Sequence, residues 1–313
     1  MSTDSPYTHH LASGAKAHEL EPHFFELPLL EQWWYDGRYH VRFSEFHIRI
    51  YPTDRHWETL TEDERFEIRA GIGWCDSLTT RSLCVFLIDL SRLPAKMQRL
   101  FTQYEIKDDC KMDPDFFTTH IEGKPPEHVS AYSAVLEIMA EINRMHEEVT
   151  GSRVFSDDYT EVRPREFSVF NLPTRKSFET FVEISNKMFI DNVNSAAFPG
   201  IEKTQEIVVD GRPSTQQKGT ITLWVEWLAE QTDPNHPSVT QLNDELREIR
   251  KRRSKASHTI SDAEFDPAFF EEQRRQINAI YESFRAVYLL YAQEIMNDAP
   301  EPFWWFDRPV RTT

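Results

Sequence analysis

The stretch PSVTQLNDELREIRKRRSKASH, residues 237–258, decides the predicted fold of the C-terminal half. Its apolar residues recur at steps of three and four, the period of an amphipathic helix: Val239, Leu242, Leu246 and Ile249. The next steps of this stripe are Arg253 and Ala256, so a cation falls on the apolar side of the helix. Burying an unpaired guanidinium costs several kcal/mol. We therefore expect Arg253 to meet a partner, or to face a cleft or an interface.

Helical periodicity extends through most of the chain on both sides of this stretch. Residues 266–295 predict a second long helix, with Asp266 and Pro267 suited to its N-cap and first turn. Residues 218–231 and 177–194 predict further helices, and an Asp-Gly pair in EIVVDGRPST, residues 206–215, predicts a hairpin or loop between them. Upstream, apolar residues at three- and four-residue steps predict another amphipathic helix, namely Val129, Tyr132, Leu136, Met139, Ile142 and Met145.

The N-terminal half gives fewer signals. HVRFSEFHIRI, residues 40–50, alternates imperfectly and predicts a strand. Thr61 and Glu64 are spaced as a capping box, which favours a helix through residues 65–90. Nine Gly against 18 Pro argue against a glycine-turned β fold. We therefore expect a mainly α protein, with a C-terminal antiparallel helical bundle and an N-terminal helical or α+β domain.

Polar residues and a proline in TGSRVFSDDYTEVRPREF, residues 150–167, indicate a domain boundary near 160 to 170. The predicted organisation is a loose tail over 1–22, an N-terminal domain over 23–165, a helical domain over 166–298 and a C-terminal tail over 299–313. The N-terminal domain carries no catalytic motif that we recognise. We expect it to sense a trigger or a regulatory partner, or to position substrate.

Composition restricts the compartment and the partners. A formal charge of −17 opposes adsorption to nucleic acid or anionic membrane over the whole surface, so a nucleic-acid contact must be local. The three cysteines lack C-x-x-C spacing, and their odd number does not suit a disulfide scaffold. No apolar run is long enough to span a bilayer or to act as a signal peptide. These features predict a soluble cytoplasmic protein without a membrane partner.

Six cations lie between Arg247 and Lys255, just before His258. Cations are favoured near the C-terminus of a helix, and Glu248 with Arg252 forms an i,i+4 pair. A solvated helix end therefore accounts for four of the cations, namely Arg247, Lys251, Arg252 and Lys255. His258 lies five residues after Arg253, about 140° further round a helix. A lone His at a helix end is often a cap, but these two side chains can also flank one groove and contact one phosphodiester.

Arg-x4-His at the end of an amphipathic helix, in a helical unit of about 130 residues, resembles the HEPN family of prokaryotic nucleotide-binding and RNase domains. The resemblance covers about 170–298, including KMFIDNVNSAAF, KGTITLWVEWL and FDPAFFEEQ. It implies a homodimer whose facing motifs form a composite RNase site without metal or cofactor. Arg253 and His258 would be the catalytic pair, and Arg250 and Ser254 would contact substrate. Ser254 departs from the family, in which Asn, Asp or His often follows the motif arginine.

The resemblance implies an endoribonuclease, toxin-like and acting in antiviral defence. The alternative is a non-catalytic HEPN dimerisation or binding module whose partner supplies the activity. A third reading places a metal-dependent nuclease at Asp115, Glu122 and Lys124, whose spacing is similar to a PD-(D/E)xK motif, although the adjacent strands that such a site needs are not evident.

Other candidate ligands give weaker patterns. Glu137, Glu141 and His146 are spaced partly like a di-metal helical bundle but lack its Glu-x-x-His step. Four histidines near the N-terminus are too scattered along the sequence to predict a metal site, namely His9, His10, His18 and His23. Five aromatic residues are expected to belong to the core rather than to ligand surfaces, namely Trp33, Trp34, Tyr35, Trp304 and Trp305.

Overall fold

The computed structural model describes residues 5–12, 18–44, 46–75, 80–209, 211–256, 265–296 and 309–311. The chain divides into two compact units, Met1–His128 with Ser168–Leu172, and Val129–Phe167 with Pro173–Thr313. It is 51% helical and 19% strand, with a seven-stranded antiparallel sheet in the N-terminal half. The expectation of a mainly α fold is therefore wrong, and the protein is α+β.

The first unit is built on that sheet. Its strands are β1 (Pro22–Phe25), β2 (Tyr39–Ser44), β3 (His47–Pro52), β4 (Ile68–Cys75), β5 (Thr80–Phe86), β6 (Glu105–Ile106) and β7 (Lys111–Met112). They are ordered β2-β3-β4-β5-β1-β6, and β7 pairs with β4. Its helices are α1 (Pro6–Ala12), α2 (Glu31–Trp34), α3 (Asp54–Trp57), α4 (Leu87–Ser91), α5 (Ala95–Gln103) and α6 (Pro114–His120).

Most of residues 65–90, which the sequence assigned to a helix, form β4 and β5. Nearly every described residue of these strands is buried, so the alternation that marks a half-exposed strand is missing. Gly71 lets the Phe116 ring of α6 lie directly on the sheet, because a Cβ there would come within 2.1 Å of Phe116 Cγ. The Thr61 and Glu64 capping box is present, but it closes only a short 3-10 turn.

Part of the segment expected to be a tail belongs to the fold. Tyr7 of α1 is buried, and the backbone N–H groups of Tyr7 and Thr8 both donate to Oε1 of the buried Gln98 on α5. A disulfide joins Cys75 at the end of β4 to Cys110 just before β7. The cysteine spacing did not predict this pair, since its partners lie 35 residues apart and meet only through strand pairing.

The second unit holds the predicted helices, α7 (Ala131–Thr150), α8 (Arg175–Asn186), α9 (Thr220–Gln231), α10 (Pro237–Ala256) and α11 (Ala268–Leu290). The predicted excursion is the antiparallel hairpin β9 (Thr204–Val209) and β10 (Arg212–Gln217), while β8 (Val129–Ser130) pairs in parallel with β11 (Val310–Arg311). Residues 129–167, which include α7, belong to the same unit as the C-terminal helices.

A buried polar network lies at the centre of the second unit. Tyr291 Oη contacts His146 Nδ1 at 2.9 Å and accepts a hydrogen bond from Trp224 Nε1, while His146 Nε2 contacts the Ala197 carbonyl at 2.8 Å. Burial lowers the pKa of His146, against the hydrogen bond to Ala197, which acts in the opposite direction. Among the described residues, no helix is long and apolar enough to cross a membrane.

Candidate functional site

The buried stripe of α10 is confirmed up to Ile249. Val239, Leu242, Leu246 and Ile249 are all buried, whereas Arg253, one step further along the same stripe, is exposed. Arg253 keeps the angular position that the stripe predicts but lies beyond the buried residues, and the partner, cleft or interface expected for it stays a prediction. α10 runs on for seven residues after Ile249, and Arg252 is the one among 250–254 that is half-buried. Arg253 therefore lies on the last turns of α10, beyond the part of the helix that packs on the core of the second unit.

Three of the cations in the basic run have partners. Arg247 Nε donates to Asn243 Oδ1 at 2.8 Å, and Lys251 lies 3.6 Å from Glu248. Arg252 Nε lies 3.1 Å from Glu248, and its Nη1 lies 3.8 Å from Glu272 of α11. Ion pairs of this exposed kind contribute little stability, but they neutralise these cations locally. The predicted solvated helix end describes this part of the run.

Two of these paired cations, Lys251 and Arg252, line an open cavity of about 580 Å³ formed by α8, α10 and α11. Its charged lining is balanced or slightly acidic, with the cations Arg175, Lys251 and Arg252 against the carboxylates Glu179, Glu248, Asp266 and Glu272. Phe178 and Phe269 stack with their ring centroids 5.8 Å apart. Because its carboxylates repel phosphate, this cavity is a poor place for a polyanion.

Arg250 and Arg253 lie on the other side of α10. At 100° per residue they are about 200° and 140° round the helix from Glu248. Both are exposed, and neither has a hydrogen bond or an ion pair within the described part of the chain. Arg250 also reaches the amino end of α9, since a Cβ at Gly219 would lie 3.5 Å from Arg250 Nη1. A helix N-terminus favours an anion, so this corner offers two positive contributions to one phosphate.

The other two predicted site residues, Ser254 and His258, add no group that is shown to be available for substrate. Ser254 Oγ donates to the Arg250 carbonyl at 3.0 Å, so its hydroxyl proton is used within the helix. His258 lies outside the described residues. The structure thus brings Arg250, Arg253 and Ser254 together on the last turns of α10.

A second cationic surface, which the sequence did not indicate, lies on the sheet of the first unit. Arg42 pairs with Arg49 across β2 and β3, and Arg49 pairs with Arg69 across β3 and β4, so three arginines stand in one row. They line a cavity of about 490 Å³ together with His47, Tyr51 and His120. Like charges directly opposite one another destabilise a sheet. A bound anion would relieve that repulsion.

Glu67 compensates only part of this charge. Its carboxylate lies 2.5 Å from Arg49 Nη2 and 3.1 Å from Arg69 Nη2. Although burial acts in the opposite direction, the hydrogen bonds from Arg69 and Arg49 lower the pKa of Glu67. Within the described residues Arg42 has no such partner. Burial and the neighbouring His120 lower the pKa of His47, which keeps that imidazole neutral at physiological pH.

The residues of the metal-dependent nuclease reading do not converge. Asp115 is buried at the start of α6, and its carboxylate accepts the backbone N–H groups of Glu127 and His128. Glu122 lies in the turn after α6, where it forms a 3.0 Å pair with Lys124. A PD-(D/E)xK site needs carboxylates from adjacent strands, whereas here they lie on a helix and the following turn.

The di-metal reading has no support from His146, because both of its ring nitrogens contact groups of the core. Trp33 and Trp34 are buried as expected, whereas Tyr35 is 74% exposed, so the expectation of a core residue is wrong there; Trp304 and Trp305 lie outside the described residues. Among the N-terminal histidines, however, His10 and His23 meet at Glu21. Sequence spacing gave no signal for that group, because His10 lies on a helix and His23 on a strand further along the chain.

No protein-family model, no curated protein and no solved structure matches the chain.

Proposed function

We propose that the chain is a HEPN-type, metal-independent endoribonuclease, a toxin-like effector of antiviral defence that cleaves RNA at a composite site in a cytoplasmic homodimer. One observation carries the proposal. Of the five cations in the basic run whose side chains are described, the two without a partner are Arg253, the motif arginine, and Arg250, one turn before it. The remaining three are already engaged.

The proposed chemistry is attack by a ribose 2′-hydroxyl on the adjacent phosphate. The O2′–P bond forms, the P–O5′ bond breaks, and the 2′ proton leaves while O5′ gains one. The products are a 2′,3′-cyclic phosphate and a 5′-hydroxyl. The His258 imidazole carries the proton, since its ordinary pKa lies near neutrality. Arg253 and Arg250 hold the phosphate and neutralise the charge that develops on it.

Dimerisation follows from the resemblance rather than from burial, since an exposed Arg253 carries no desolvation penalty in a single chain. Two copies of the basic run across one cleft would concentrate positive potential in a protein of charge −17. Because such a field falls off within a Debye length of about 8 Å at physiological salt, the substrate is a short single-stranded segment or loop of RNA.

The alternative, a non-catalytic HEPN module, is favoured by one contact. The Ser254 hydroxyl proton is used on the Arg250 carbonyl, so it cannot at the same time donate to substrate. In that case Arg250 and Arg253 bind RNA or a partner without cleaving it.

In this proposal the first unit regulates the nuclease by binding a trigger. The arginine row beside His47 and His120 is where a phosphorylated trigger would bind. A thermal shift with inorganic pyrophosphate tests this, with Arg42→Glu as the variant and Arg55→Glu, an exposed arginine of α3, as the charge-matched control. We expect stabilisation of the control and not of the variant. Equal responses of the two variants would contradict the assignment.

The nuclease test uses the full-length protein with total RNA in EDTA. We expect cleavage to persist, to leave cyclic phosphate ends and to be lost in His258→Ala. Removing one donor to a developing charge costs about 10²–10³-fold in rate, and we expect this loss in Arg253→Ala. Lys251→Ala is the matched control, because it removes the same charge from the other side of the same helix.

The outcomes separate the readings. Cleavage that needs Mg²⁺ would contradict the HEPN proposal. RNA binding by a stable dimer without cleavage would select the non-catalytic module. Equal rates for Arg253→Ala and Lys251→Ala would show that the partnerless arginine is not part of the site.

A further inference from the structure

Three side chains of the first unit bring metal-binding atoms to one point. His10 lies on α1, Glu21 immediately precedes β1, and His23 is the second residue of β1. His10 Nε2 lies 3.3 Å and 3.4 Å from the two carboxylate oxygens of Glu21, and His23 Nε2 lies 3.8 Å from Glu21 Oε1. One ligand atom from each residue falls within 4.8 Å of the other two.

These separations match the size of a zinc site. Zn²⁺ bonds to His nitrogen and carboxylate oxygen are about 2.0–2.2 Å long, so ligand atoms at the corners of a tetrahedron are about 3.3–3.6 Å apart. The contacts to Glu21 are already near this range. Two imidazoles and one carboxylate suit Zn²⁺, whereas Ca²⁺ and Mg²⁺ prefer all-oxygen sites.

The orientation of His23 supports the same conclusion. Its Nδ1 lies 2.7 Å from Glu105 Oε1 on the neighbouring strand β6. A carboxylate on one ring nitrogen fixes the tautomer and leaves the other nitrogen as a ligand, the usual arrangement behind a metal-binding histidine. That other nitrogen, Nε2, is buried and has no hydrogen-bond partner among the described residues. It faces the Glu21 carboxylate from beyond hydrogen-bond distance.

The helix that carries His10 is held in place independently of any metal. Gln98 Oε1 accepts from the backbone of Tyr7 and Thr8, and Gln98 Nε2 donates to Thr8 Oγ1 at 2.8 Å. The rings of Tyr7 and His23 meet edge to face, 5.3 Å apart. α1 therefore presents His10 from one turn beyond a buried anchor.

We propose that His10, Glu21 and His23 bind one Zn²⁺ per chain, with Glu105 orienting His23. Three protein ligands leave a fourth position for water, and the 44% exposure of the His10 side chain leaves that side open to solvent. The site departs from the expectation that the N-terminal histidines form no metal site. It lies in the first unit and is independent of the proposed RNA cleavage by α10.

Zinc binding to the full-length protein tests the proposal directly. Metal-free protein is titrated with zinc chloride against a chromophoric chelator, and bound zinc is counted by elemental analysis after dialysis. We expect one zinc per chain in the wild type. His10→Ala and Glu21→Gln should each lose it, and Glu105→Gln should bind about 10–100-fold more weakly, as changes to such outer partners do.

His9→Ala, on the same helix and exposed, is the matched control and should bind one zinc. Circular dichroism of the metal-free variants checks folding, and His10→Ala is the most informative because its side chain is the most exposed of the three ligands. A wild type that binds no zinc at micromolar concentrations would overturn the proposal. So would His10→Ala and Glu21→Gln variants that bind zinc as tightly as His9→Ala.

Discussion

The disulfide between Cys75 and Cys110 should make a large and calculable contribution to the stability of the first unit. Cross-linking residues 35 positions apart removes chain entropy from the unfolded state. The loop-closure relation gives about 3 kcal/mol for a 15-residue loop and about 4.7 kcal/mol for 100 residues, which places this loop near 3.8 kcal/mol. We expect Cys110→Ser to lower the free energy of unfolding by about that amount.

Urea unfolding with and without reductant measures the effect. Reduction of the wild type should lower its midpoint to that of Cys110→Ser, and reductant should leave Cys110→Ser unchanged. Thiol counting gives an independent check. Burial raises the pKa of the Cys84 thiol, so the oxidised folded protein should show no reactive thiol and the unfolded protein one.

Two results would refute this reasoning. Three reactive thiols in unfolded, non-reduced protein would show that the pair is not joined. If the pair is joined but its reduction changes the free energy of unfolding by less than about 1 kcal/mol, the disulfide does not stabilise the protein through loop closure. Disulfides are rare in reducing compartments, so in the cytoplasm proposed above the protein should have the stability of the reduced form.

Further predictions concern packing, pH and assembly. In urea unfolding, Gly71→Ala should destabilise the first unit by about 1–3 kcal/mol or more, the cost typical of overpacking, because the new Cβ would overlap Phe116. Gly37→Ala should be neutral, because a Cβ there meets nothing within 4 Å. Because the pKa of His146 is lowered in the folded protein, the unfolded chain takes up a proton below about pH 6.5 while the folded protein does not. The free energy of unfolding should therefore keep its highest value above that pH and decrease as the pH falls below it. His146→Phe should make this dependence on pH weaker. Light scattering at tens of micromolar should show a dimer, and a monomer would contradict the composite site. RNA binding should weaken only shallowly with salt because few phosphates are contacted, and tight, salt-steep binding to duplex DNA would be incompatible with it.

The sequence alone determined the long helices of the second unit. Amphipathic periodicity is a local property, since each turn repeats the same face, and α10 and α11 lie where their stripes and the Asp266–Pro267 start predicted them. The same local information located the basic run and its pairing of Glu248 with Arg252. It could not show where the core ends, so it predicted the angle of Arg253 round the helix without deciding whether that side chain is buried or exposed.

Only the tertiary structure decided the sheet and the sites built on it. Most residues of β4 and β5 are buried whichever face they lie on, so nothing in their periodicity separates them from a helix. Which strand lies beside which depends on pairing between distant residues, and that register puts Arg42, Arg49 and Arg69 in one row. It also brings Glu105 to His23 from 82 residues away and joins Cys75 to Cys110. Contacts at such separations leave no repeat in the sequence, because each is made once and between residues that are not neighbours along the chain.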